Sequence, residues 1–193
     1  MKPFDQIKGT SAYRTILYHY GAQRARRSGV PLMNHINEGL VVLDQISASL
    51  NAMKAYCLHP IYQADEDLIL AARNTVHESL DPYVMLLVME YRNRANAWLP
   101  DKVCSLYNSD DKLVPGTLSL TGLPDPGDLK EVRHMLIADK VQNRKDFLHH
   151  HKATHMRTAE LNFYFAYWLK ALDIDQAEYD GLCVAIDAAR STT

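Results

Sequence analysis

Apolar residues recur at helical spacing from one end of this chain to the other, and the strict alternation of a half-buried strand appears nowhere. Residues 11–27 carry Tyr13, Ile16, Leu17 and Tyr20 on one stripe before Ser28-Gly29 breaks it. After Pro31, a second stripe runs through Ile36, Leu40, Leu43 and Ile46. The spacing predicts a short third helix over about 51–59, ended by Pro60, because proline disfavours helical backbone in the residue before it. Asp81-Pro82 reads as an N-cap followed by proline at the first helical position. The helix it opens runs to Leu99, with Val84, Leu87, Val88, Tyr91, Ala95 and Trp98 as its apolar face. Asp128 is expected to cap a helix reaching about Leu148. Another carries Leu161, Tyr164, Phe165, Trp168 and Leu172, and the last covers about 175–190. Tyr164, Phe165, Tyr167 and Trp168 span more than one face, so most of them belong to the core. The fold class that follows is all-α.

With 193 residues the chain is long enough for one well-filled core, and one domain over 1–193 is expected. Most of the remaining Pro and Gly fall between 100 and 128, in Val114-Pro115-Gly116 and Gly122-Leu123-Pro124-Asp125-Pro126-Gly127. Connections of that length are often functional lids. A formal charge of -2 gives no bulk attraction to nucleic acid or anionic membrane, so neither DNA nor a membrane is an expected partner. The first eight residues lack the apolar run of a secretory signal. No stretch approaches the roughly 20 apolar residues that span a bilayer. Cys57, Cys104 and Cys183 are odd in number and unpaired in spacing, which suits buried thiols in a reducing cytoplasm.

Three positions carry the chemistry. Asp139 and Asn143 are four apart and share a helix face with Val132, Met135 and Leu136 on or near it. A carboxylate in such apolar company has to be ion-paired, hydrogen-bonded or bound to a cation. His35 sits near the start of one helix and His59 at the end of another. Each alone reads as a satisfied core histidine before a ligand, yet imidazole is also the commonest metal-binding side chain, and metal sites gather ligands from separate elements. Arg24, Arg26 and Arg27 precede Ser28-Gly29, either as an anion-gripping cluster or as a solvated face. His149, His150, His151 and His155 form a second cluster, with His151 and His155 four apart. Lys152 stands where the metalloprotease signature requires glutamate.

Three stretches together resemble the hydrolase domain of the RelA/SpoT family. Gln23-Arg24-Ala25-Arg26-Arg27-Ser28-Gly29-Val30-Pro31-Leu32-Met33-Asn34-His35 is similar to its opening motif: basic residues, Ser-Gly, a proline, then the first metal histidine. Ala55 to Asp67 resembles the second motif, in which the family has Leu-Leu-His-Asp, two residues, then Glu-Asp. Leu136 to Phe147 resembles the third, an Ala-Asp-Lys-Leu run leading to Asn, Arg and Asp. The resemblance covers roughly residues 10–172 and is closest to the small stand-alone alarmone hydrolases.

The resemblance implies an HD-domain-like helical bundle with a divalent metal, Mn2+ in that family, and a phosphorylated nucleotide of the (p)ppGpp kind as partner. The implied activity is removal of the 3′-pyrophosphate by a metal-activated water. Carried over by position, His35, His59 and Asp139 are metal ligands. Gln63 and Asn143 are the candidate catalytic groups, and Arg26, Arg27, Asn143 and Tyr164 contact substrate. The chain departs from the pattern where Pro60 replaces the metal aspartate and where Gln63 and Ala64 replace the Glu-Asp pair. Proline offers no ligand atom, and glutamine orients a water without accepting its proton. The acids Asp65, Glu66 and Asp67 stand just downstream, either as substitutes or as charges favoured at a helix start. Two functions stay open: a metal-dependent phosphohydrolase, or a catalytically silent nucleotide- or protein-binding module on the same frame. A purely structural helical protein would show neither metal nor nucleotide affinity.

Overall fold

Two helices buried on nearly every side set the architecture. A computed structural model describes residues 3–26, 28–65, 81–99, 123–153 and 155–191. Those residues form eight α-helices and no strand: α1 (Pro3–Ile7), α2 (Ser11–Tyr20), α3 (Met33–Gln45), α4 (Leu50–Tyr62), α5 (Pro82–Ala97), α6 (Lys130–Asp146), α7 (Thr158–Ala171) and α8 (Gln176–Arg190). The all-α expectation holds. In α4, Ala52, Met53 and the whole run from Ala55 to His59 are buried. In α6 the run Met135 to Gln142 is buried without a break. A helix that is apolar or buried all round belongs in the middle of a bundle. α4 accordingly packs against α1, α2, α3, α5 and α6, while α6 packs against α3, α4, α5, α7 and α8.

Several helix ends follow their sequence signals. Asp81 caps α5 by accepting the Tyr83 N–H at 2.9 Å, with Pro82 as the first helical residue. Val84, Leu87, Val88, Tyr91 and Ala95 are its buried face, and Trp98 is the half-buried residue beyond it. Asp175 and Glu178 close a reciprocal capping box on α8. All four aromatic residues Tyr164, Phe165, Tyr167 and Trp168 are buried.

Three boundaries differ from expectation. α2 ends at Tyr20, not near residue 27. Gly21 adopts φ +50° and its N–H turns back to the Leu17 carbonyl, so the chain leaves the helix there. Arg24 and Arg26 therefore lie in a loop whose ends meet at the Arg24–Pro31 bridge. α4 does not stop before Pro60 but carries it inside the helix through Tyr62. Asp128 does not cap α6. Leu129 holds the N-cap position without a side-chain bond, and the helix passes at Phe147 into a π-type turn ending at His151. The connection expected over 100–128 lies outside the described residues as far as 122. No helix among the described residues is long and apolar enough to cross a membrane. Cys57 is buried and Cys183 half-buried, both as free thiols. Cys104 lies outside the described residues.

Candidate metal centre

α3, α4 and α6 pack against one another, and each brings one donor to the same point: His35 from the first turn of α3, His59 from the last turn of α4, and Asp139 from the middle of α6. The two Nε2 atoms are 3.2 Å apart. Asp139 Oδ1 stands 3.6 Å from the first and 3.9 Å from the second. Among the described residues these form the group of His, Cys, Asp or Glu side chains close enough to share an ion.

What aims the rings is their other nitrogen. His35 Nδ1 lies 2.6 Å from Gln142 Oε1. The Gln142 amide is oriented by donating from Nε2 to Asp146 Oδ2 at 2.9 Å and to Glu38 Oε2 at 3.4 Å, so its oxygen must face the histidine. Glu38 is in turn held by Arg190, whose Nε donates at 2.6 Å. His59 Nδ1 lies 2.6 Å from the Tyr56 carbonyl. A carbonyl only accepts, so in each ring Nδ1 carries a hydrogen, and the neutral form of either ring presents its lone pair at Nε2. Burial, and after it the electrostatic influence of the neighbouring His35 ring, lowers the His59 pKa to about 3, so the His59 ring is neutral at ordinary pH.

Asp139 is buried yet charged. Burial alone would raise its pKa, but Lys140, His35 and His59 together pull it down to about 2. Lys140 Nζ donates to Oδ2 at 2.7 Å and sits over the rings of Tyr164 and Trp168, 5.6 and 5.1 Å from their centres. Asn143 Nδ2 donates to Oδ1 at 2.8 Å. One lone pair of Oδ1 remains for the histidine side.

Two imidazoles and one carboxylate suit a borderline divalent cation. Nitrogens held about 2.0–2.1 Å from one ion at tetrahedral or octahedral angles stand roughly 2.9–3.4 Å apart, which brackets the observed separation. The carboxylate oxygen stands a few tenths of an ångström further out than a closed polyhedron. A proton shared between the rings would also satisfy the short nitrogen contact, but a cation satisfies all three donors at once. One more group lacks a partner here. The Tyr91 hydroxyl is buried outside hydrogen-bonding geometry, although its ring packs on His59 at 4.8 Å; burial first and the nearby Asp139 carboxylate second raise its pKa. A buried orphan hydroxyl beside a donor set fits a hydrated ion or an ordered water.

The donors open into a cleft of about 380 Å3. Gln63, Asn143 and Tyr164, expected from sequence, all line it, as do Pro60, Gln142 and Asp146. Ala64 is exposed and Asp65 is ion-paired with Arg92 at the surface, so Asp65 does not stand in for the missing acids. Glu66 and Asp67 lie outside the described residues. Arg26 is exposed and does not line the cleft, although Ala25 and Ser28 on either side of it do. Arg24 bonds the Gly29 carbonyl of its own loop at 2.7 Å. Arg27 lies outside the described residues. His151 and His155 do not share a helix, because the π-type turn ends between them, and His155 Nδ1 accepts the Arg157 N–H. Gln142 escaped the sequence reading, and Asp146 entered it only as the closing aspartate of the third motif, with no role assigned. Their position one residue before and three after Asn143 was the available signal.

The chain matches no protein-family model, no curated protein and no solved structure.

Proposed function

We propose that this protein is a metal-dependent phosphohydrolase of HD type acting on a phosphorylated nucleotide, with (p)ppGpp as the first substrate to test. The observation that carries the reading is the convergence of two histidine lone pairs and one carboxylate oxygen, each held from behind by a buried partner. A divalent ion bound there supplies a water of lowered pKa and a positive charge for phosphoryl oxygens. His35, His59 and Asp139 hold the ion, and Asn143 steadies the Asp139 oxygen. Gln63 on the cleft wall orients a water without taking its proton. Among the described residues lining the cleft, Asp146 is the carboxylate other than Asp139, and it is the group able to accept that proton. Tyr164 offers an aromatic wall for a base, and Arg26 stands in the loop between two cleft-lining residues.

A second reading is favoured by one observation. Pro60, Gln63 and Ala64 bring no carboxylate to the end of α4, which fits a nucleotide- or protein-binding module without turnover.

The test is ion-exchange chromatography of ppGpp incubated with the purified protein, with Mn2+ and with chelator. Conversion to GDP and pyrophosphate that needs Mn2+ supports the hydrolase. Tight ppGpp binding without conversion supports the binding module. Neither binding nor conversion sinks both for this nucleotide.

A further inference from the structure

Pro60 lies inside α4 with a further turn-end beyond it, and that position has a consequence for the residue before it. In an α-helix the carbonyl of residue i accepts from the N–H of residue i+4. For Tyr56 the donor would be residue 60, which has no N–H, and the proline ring crowds that same carbonyl away from its usual line. Tyr56 is fully buried, and a buried carbonyl needs a donor. His59 Nδ1 is that donor, at 2.6 Å and three residues away on the same helix.

We propose that Pro60 is a positioning residue for His59: by leaving the Tyr56 carbonyl without a backbone donor, it reserves that oxygen for Nδ1–H and so fixes Nε2 as the donor atom toward His35 and Asp139. The proposal rests on the metal-centre reading for its functional meaning, while its structural part stands on the helix alone. At the position where the resembled family places a ligand carboxylate, this chain has a residue that instead prepares a neighbouring ligand. With any other residue at 60, the backbone N–H draws the carbonyl back to the helix axis and the His59 ring has to share it. The Tyr56 carbonyl is the acceptor that His59 Nδ1 has, and the ring is packed between Tyr56 at 4.7 Å and Tyr91 at 4.8 Å. His35 supplies a built-in reference, because its Nδ1 is held by Gln142 on a different helix.

The experiment compares the parent with Pro60→Ala and, as a second variant nearer in volume, Pro60→Leu, each checked for helix content by circular dichroism. Both replacements favour helix, so α4 is retained. Two-bond proton–nitrogen spectra of 15N-histidine-labelled, metal-free protein near pH 7 report which ring nitrogen carries the hydrogen. Calorimetric titration with Mn2+ reports affinity. The parent is expected to show Nδ1–H on both rings. In the variants, His59 gains a measurable Nε2–H population, His35 stays unchanged, and Mn2+ binding weakens by about 10-fold. An unchanged His59 tautomer in both variants overturns the proposal, as does a parent His59 already protonated at Nε2. If the tautomer moves but the parent binds no Mn2+, the hold of Pro60 on the ring stands and the metal reading falls.

Discussion

Gln142 has no charge and no exposed surface, yet it occupies the junction of the site. Its oxygen accepts from His35 Nδ1 while its nitrogen donates to Asp146 and Glu38. Replacing it with methionine keeps the volume and removes all three bonds. Titration of Gln142→Met with Mn2+ is expected to show affinity 10- to 100-fold below the parent, as for other partners of metal-bound histidine. Urea unfolding of the same variant should show a loss of about 1–3 kcal/mol, because two carboxylates lose a donor. Parental Mn2+ affinity in this variant would sink the role assigned to Gln142. The three donors were legible from sequence only together, through the three motifs around them, since each alone read as a satisfied core residue. Gln142 was not, since its role exists only where α6 crosses α3, 107 residues away along the chain.

At the scale of helices, the contact between α3 and α4 depends on a missing side chain. A Cβ built on Gly39 would lie 2.0 Å from Tyr56 Oη and 2.2 Å from Cζ, so the ring occupies the space a side chain would need. Tyr56 also donates from Oη to the His35 carbonyl at 3.3 Å, tying the two helices beside the donors. Alanine at 39 gains about 1 kcal/mol of helix propensity. It also forces apart a core contact that has no room to give, which costs about 1–3 kcal/mol and, with a whole ring displaced, decides the sign. Gly39→Ala should therefore lower the urea midpoint, and Tyr56→Leu in that background should recover part of the loss. Additive losses in the two single variants and the double would show that the pair does not couple. Stripes of apolar residues made these helices readable, but their ends were less so. Gly21 stops α2 through a left-handed turn, although the polar run behind it continues a helical pattern. Pro60 stays inside α4 because burial on all sides holds the helix together where local preference would end it.

For the molecule as a whole, the site links folding to acidity. His59 has an ordinary pKa near 6.5 that falls to about 3 in the fold, from burial first and the nearby His35 ring second. Between those values the unfolded chain binds a proton that the folded protein refuses, so stability falls as pH drops through that window. Asp139 moves from 3.8 down to about 2, and its contribution is lost only in that lower range. Urea unfolding in chelator should therefore show stability declining by about 1 kcal/mol per pH unit from pH 6 to pH 4, and His59→Gln should flatten the slope. A slope equal in parent and variant would remove His59 as its source. The bundle was readable at this scale because its stripes are long and strand signals are lacking. Its central helices were not ranked in advance, since α6 mixes buried charge with apolar residues and only the paired Asp139 and Lys140 make that mixture tolerable.

The Glu38–Arg190 bond gives the bundle a clasp. It joins residues 152 apart along the chain, and on its inner side Glu38 steadies the amide that aims His35. A shortened version cut just after Asp139, or even after α7, would retain every ligand by name and lose the fastening behind one of them. The smallest fragment that contains the donors is thus smaller than the smallest fragment that contains the site.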